Sequence, residues 1–223
     1  MELLKKLAIV LPPGLLATLE LFHASGHYDA VYKTLSMHID RWIVVHYLQL
    51  LLFPLTAWSV YSLSQYLDRD TELNGFDRVT SRVILVAMTV FGLGYAAFDS
   101  IAGIGSAILV KESQAILAIP GVPDFEDGFA ELTQGFFHSP LSNNIARIAI
   151  AAAIIGFIAT AVKVYQRVPE PYRTIPIVLL AGACFGVTRP HAPPWGPLTY
   201  GMLCGAAVVV TFVSSKKRIQ PAT

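Results

Sequence analysis

Charge is what this sequence has least of. Asp, Glu, Lys and Arg make up 14% of its 223 residues, whereas a soluble domain carries about 25%. Too few charged side chains remain to coat an ordinary water-facing surface. The net charge is +1 and the sixteen basic residues are scattered, so no nucleic-acid partner is expected, since such a partner needs a concentrated basic face. Cysteine is almost absent. Cys184 and Cys204 both fall in apolar runs, belong to no CxxC or Cys/His spacing, and read as buried small hydrophobes. Signatures of soluble enzymes are missing too: no GxGxxG after a strand, no phosphate loop, no GxSxG and no HExxH. CxxCH is absent, which excludes covalent haem attachment. Asp68, Asp70, Glu72 and Asp77 lack the Gly and closing Glu of a calcium loop and read as a solvated turn.

What is present is apolar. Hydrophobic residues reach 54% and the mean hydropathy is +0.57. The predicted fold class is all-α, a polytopic membrane bundle forming a single transmembrane domain over 1–223. Its six predicted spans are about 5–25, 41–66, 80–110, 143–165, 174–189 and 195–214, with the ~20-residue length of a bilayer crossing as the guide. The first is read as a span and not as a cleaved leader, because Pro12, Pro13 and Glu20 interrupt its apolar core. The fifth is short, with a re-entrant helix as the alternative. A long outer loop is expected over 111–142, folded as an interfacial helix and a turn, and a second interfacial helix over 31–37. Small residues recur at Ala152, Gly156 and Thr160 and at Gly201 and Gly205. These suit close helix packing within the chain, with a homo-oligomer or a larger membrane complex as the alternative.

Lys and Arg set the direction. With the N-terminus in the cytoplasm, eleven of the sixteen basic residues fall inside, among them Lys5, Lys6, Lys163, Arg167, Lys216 and Lys217. Both termini are therefore expected in the cytoplasm of a cell-membrane protein. On that topology all six histidines, His23, His27, His38, His46, His138 and His191, lie outside or in the outer leaflet. Glu20 and Asp99, the two carboxylates inside apolar segments, lie on the same side, and an acid within a span is usually functional or paired. The inner halves of the spans hold almost no ionisable groups on this reading.

Helical spacing groups these residues. Glu20, His23 and His27 stand at i, i+3 and i+7 and share a face if the first helix continues. Trp42, His46, Gln49 and Phe53 form a face of the second span. Gly92, Tyr95, Ala96, Asp99, Gly103 and Ser106 form a small, polar face of the third, leaving room for a ligand. The proline-rich segment 188–197 holds His191 and Trp195 at the outer mouth, with a stiff turn and interfacial Trp anchor as the equal alternative. Four functions fit. In the first, His23, His46 and His191, with Glu20 or Asp99, ligate zinc or iron, and a spare carboxylate of the pair acts as catalytic base on a lipid or other apolar substrate. In the second, two histidines such as His46 and His23 hold haem b, in a pocket with Trp42, Gln49 and Tyr95. The third is a transporter, and the fourth an accessory subunit, each with an Asp99–Arg147 ion pair.

Overall fold

Apolar runs of this length satisfy their backbone groups internally only as helices. In the computed structural model, which describes residues 2–24 and 30–213, no strand occurs among the described residues. The helices are α1 (Glu2–Glu20), α2 (Val31–Asp68), α3 (Gly75–Phe98), α4 (Ser106–Leu117), α5 (Glu126–Phe137), α6 (Pro140–Arg167), α7 (Thr174–Val187) and α8 (Trp195–Val208). A π-helical turn, Asp99–Gly105, joins α3 to α4, and a second one, Val209–Val213, extends α8. Four stretches are long and apolar enough to cross a membrane: Val31–Asp68, Gly75–Leu117, Glu126–Arg167 and Trp195–Phe212. Their outward faces are greasy, with Leu51 61%, Val86 62% and Leu93 64% exposed, as a lipid-facing surface requires. The 14 residues of α7 extend only about 21 Å at 1.5 Å per residue, short of a full crossing. His27, Lys216, Lys217 and Arg218 lie outside the described residues.

Local signals explain the helix ends. Asn74 opens α3 with a reciprocal capping box: its side chain accepts from the Asp77 backbone N–H at 2.9 Å, and its own N–H donates to the Asp77 carboxylate at 3.1 Å. Ser139 caps α6 by accepting from the Ser142 backbone N–H at 3.2 Å, with Pro140 at the first helical position. In α2 the backbone leaves helical geometry at His38 (φ −136°, ψ 23°). The expected interfacial helix over 31–37 is thus the first segment of α2, bent from the span at His38. The expected loop over 111–142 is mostly helix, because α4 runs to Leu117 and α5 follows at Glu126.

Neighbour relations close a ring. α1 packs on α2, α2 on α3, α3 on α6, α6 on α7, α7 on α8, and α8 back on α1. Aromatic rings fill the interior. Phe53 stacks on Tyr95 at 4.7 Å and meets Phe91 and Tyr200 edge-on at 6.1 and 5.8 Å. Small residues set the closest approaches: a Cβ at Gly92 would lie 3.1 Å from Pro54 Cα, and the space beside Gly156 is taken by Met88. The stripe through Gly156 therefore serves packing within the chain. Cys184 and Cys204 are free, half-buried thiols. The α4–α5 hairpin covers the other part of α2, where Tyr32, Leu35, Trp42, Val110 and Phe137 form a second apolar cluster.

One end of the ring departs from the expectation drawn from the sequence. Lys163 is fully buried and pairs with Asp68. Its ammonium donates to Ser81 Oγ at 2.6 Å, while Arg167 contacts Asp77 at 2.6 Å. Asp68 and Asp77 are thus not a solvated turn, and the halves of the helices away from the histidine triad are not free of ionisable groups. The reason is that Lys163 and Arg167, one turn apart on α6, supply two cations to two aspartates from α2 and α3. Paired charges can be buried where single ones cannot. This network ties α2, α3 and α6 together at the end opposite the histidines.

Candidate metal centre

Three segments deliver one imidazole each. Helix α1 stops at Glu20, and His23 follows in a tight turn whose N–H donates to the Glu20 carbonyl at 3.2 Å. The face expected to run from Glu20 through His27 is therefore broken after Glu20; the turn, not the helix, aims His23. His46 is about two turns beyond the His38 bend of α2. His191 sits in the connection between α7 and α8, whose prolines prevent either helix from continuing through it. One ligand atom from each of His23, His46 and His191 can be chosen so that all lie within 4.8 Å of one another. Ring centroids are 4.7 Å apart for His23–His191, 5.1 Å for His23–His46 and 6.3 Å for His46–His191.

The hydrogen bonds set the tautomers of two of these rings. His23 Nδ1 lies 3.1 Å from the Ala24 carbonyl, and His46 Nδ1 lies 2.8 Å from the Trp42 carbonyl. A carbonyl only accepts, so each Nδ1 carries the hydrogen and each Nε2 keeps its lone pair. A histidine oriented for metal binding has this arrangement, with the remote nitrogen tied to an acceptor. His23 Nε2 and His191 Nε2 are buried without a hydrogen-bond partner. Burial, with the two facing imidazoles, holds His191 well below the ordinary imidazole range, so it is neutral and able to ligate.

The surroundings fix His46 in place. Trp42 stacks on it with centroids 4.4 Å apart, and the indole N–H donates to the Gly103 carbonyl at 2.9 Å. Gly103 belongs to the π-helical turn, and a Cβ there would lie 2.7 Å from His46 Cγ. The absent side chain is the space that the imidazole occupies. Gly196 plays the same part for His191 and Glu20: a Cβ there would overlap the His191 carbonyl and stand 3.0 Å from Glu20 Oε2. Sequence reasoning missed Gly196 and took Gly103 as room for a ligand; only the packing reveals what each glycine admits.

The carboxylates are as buried as the imidazoles. Glu20 and Asp99 are both fully buried. Gln49 donates to Glu20 Oε1 at 2.8 Å, which leaves Glu20 Oε2 without a partner. Neither oxygen of Asp99 has a partner, and it forms no ion pair with Arg147, whose side chain is exposed. The Asp99–Arg147 pair expected from the sequence is therefore not formed, because Arg147 lies on the outward side of α6 while Asp99 faces inward. Tyr95, one turn before Asp99, flanks His191 at a centroid distance of 6.3 Å. His38 and His138 are not part of the triad: His38 marks the α2 bend, and His138 ends α5 against Phe137.

Each buried polar atom without a partner costs on the order of 1–3 kcal/mol. Such atoms are rare and call for an explanation such as a water or an ion. Five such atoms lie on Glu20, His23, Asp99 and His191, with others on Gln49, Thr56, Ser64, Ser106 and Ser142. The donor set of imidazole nitrogen and carboxylate oxygen suits zinc, iron or manganese. Nitrogens on a tetrahedral ion with bonds of ~2.0–2.1 Å stand roughly 3.3 Å apart, so the three rings would draw together by about an ångström or slightly more to share one ion. No family model matches this chain, nor does any curated protein or solved structure.

Proposed function

We propose that this chain is a six-span protein of the cell membrane, with both termini in the cytoplasm and with α7 completing the fifth span together with its flanking residues, and that it holds one zinc or iron ion through His23, His46 and His191. The ion serves a metal-dependent reaction on a lipid or other apolar substrate. The observation that carries the reading is the convergence of three imidazoles from three separate segments, with ligand atoms within 4.8 Å of one another. Three protein ligands leave a coordination position for water or substrate. A bound ion of this kind acidifies water or polarises a carbonyl. Glu20, through its free Oε2, or Asp99 would then take or return the proton as general base and acid. The setting within membrane-crossing helices favours a substrate that arrives through lipid.

A bare ion fits better than haem b. Haem held between two imidazoles keeps them apart by the thickness of the macrocycle and its two iron–nitrogen bonds. Here His23 meets His191 edge-on at 4.7 Å and lies tilted to His46 at 5.1 Å, which leaves no macrocycle's width between either pair. The unformed Asp99–Arg147 pair also removes the ion pair named in the transporter and accessory-subunit readings.

The test is elemental analysis of the full chain purified in detergent, with an absorption spectrum. About one zinc or iron per chain is expected, without a haem Soret band, and His46→Ala should lose it while remaining inserted. A wild-type chain with no metal above background after gentle purification sinks the proposal.

A further inference from the structure

The segment that carries His191 also carries an exposed cation with no counter-charge. Arg189 stands two residues before the ligand, at the C-terminal end of α7. Its guanidinium lies over the Phe185 ring at 4.7 Å and near the Trp195 ring at 5.6 Å, and the two rings meet edge-on at 5.6 Å. None of the ion pairs among the described residues involves it, unlike Arg69, Arg167 and Arg173, which all pair with carboxylates. An arginine resting on aromatic rings makes no use of its N–H fork there, and that fork matches a phosphate or carboxylate. Aromatic side chains of this kind mark the depth at which lipid headgroups lie.

We propose that Arg189, shelved on Phe185 and Trp195, binds the anionic headgroup of a phospholipid. This inference rests on the metal-site reading for its catalytic meaning, because it names the substrate class: an amphiphile whose phosphate is held at Arg189 while the neighbouring part of the molecule reaches the imidazoles. Among the described residues the occupant has charge complementarity with a lone cation, and its acyl chains would run along the apolar outer faces of α7 and α8, where Val178 and Leu198 are more than half exposed. A neutral or zwitterionic lipid gains less, since its headgroup brings no net charge to Arg189.

The experiment uses the full chain in a mild non-ionic detergent doped with equal amounts of phosphatidylglycerol and phosphatidylcholine bearing the same acyl chains. Native mass spectrometry reads which lipid is retained, and elemental analysis of the same sample reads metal. The wild type should retain phosphatidylglycerol in preference. Arg189→Gln should weaken that preference about fivefold, the effect of one basic residue near a lipid surface, and leave the metal content unchanged. In the wild type the preference should also fall as salt is raised, because the contact is exposed and screened. Equal retention of the two lipids by the wild type, an unaltered preference in Arg189→Gln, or indifference to salt would overturn the proposal. Complete displacement by millimolar inorganic phosphate would overturn it too, by making this a free-anion site. The two readings fail separately: a chain without metal that keeps the lipid preference loses the catalysis and retains the headgroup site, and the reverse result does the opposite.

Discussion

Replacing Gly103 by alanine adds one methyl group in the place least able to take it. The new Cβ would stand 2.7 Å from His46 Cγ and 2.8 Å from Nε2, whereas carbon atoms in contact rest at about 3.5–4.0 Å. It would also overlap His46 Cδ2 outright, so the imidazole must retreat by about 1.5 Å or more to reach ordinary contact, but Trp42 is stacked behind it at 4.4 Å and is itself tied to the Gly103 carbonyl. Ring and indole cannot both withdraw without breaking that hydrogen bond. Overpacking of this kind costs about 1–3 kcal/mol. Disturbing the support of a metal ligand lowers affinity about 10–100-fold, and here the ligand itself is moved. Gly103→Ala should therefore lose most of its metal and melt earlier. Gly201→Ala is the control: nothing lies within 4 Å of a Cβ there, and in a helix the change is neutral or stabilises by about 0.5–1 kcal/mol. Metal per chain and thermal melting in detergent read both variants. A Gly103→Ala chain with wild-type metal content and melting temperature would refute the account of His46.

Two further outcomes follow from the packing. Lys163→Met should destabilise the fold by at most about 3–5 kcal/mol, because Asp68 loses its buried ammonium and keeps only the Ser81 hydroxyl at 3.1 Å and Arg167 at 3.8 Å; adding Asp68→Leu should recover much of the loss. Denaturation in detergent measures this, and equal stability of the single and double variants would contradict a paired network. Chelation should lower the melting temperature of the wild type, since free ion at a hundredfold excess over its Kd stabilises by about 2.7 kcal/mol. His191→Ala should melt at one temperature with or without chelator; a persisting chelator effect in that variant would put the ion elsewhere.

Hydropathy made the helical membrane architecture legible, because a run such as Trp42 to Leu63 has no other way to satisfy its backbone in lipid. Clustering of His23, His46 and His191 on one side was legible for a similar reason: spans are rods, and direction along a rod fixes depth. Angular relations were legible in part: Trp42, His46, Gln49 and Phe53 are all buried on α2, and Gly92, Tyr95, Asp99, Gly103 and Ser106 on α3 and the turn after it. The face through Glu20 and His23 was conditional on α1 continuing, and the sequence carries no visible stop for the helix at Glu20, where it ends; His27 lies outside the described residues. Nothing in the sequence announces the π-helical turn at Asp99 either, although Gly103 and Ser106 still face inward beyond it. The Lys163 network was hidden because charge counting assigns a basic residue near a span end to solvent, whereas Lys163 lies within the helix, facing Asp68 and Ser81.

The three imidazoles come from distant parts of the chain, two early and one near its end. During synthesis His23 and His46 are complete long before His191 leaves the ribosome, and α7 and α8 must be threaded beside α1 before the third ring can arrive. A nascent chain thus offers only two of the three donors. On the proposed function, an ion would meet all three donors only late in biogenesis, once the ring of helices has closed.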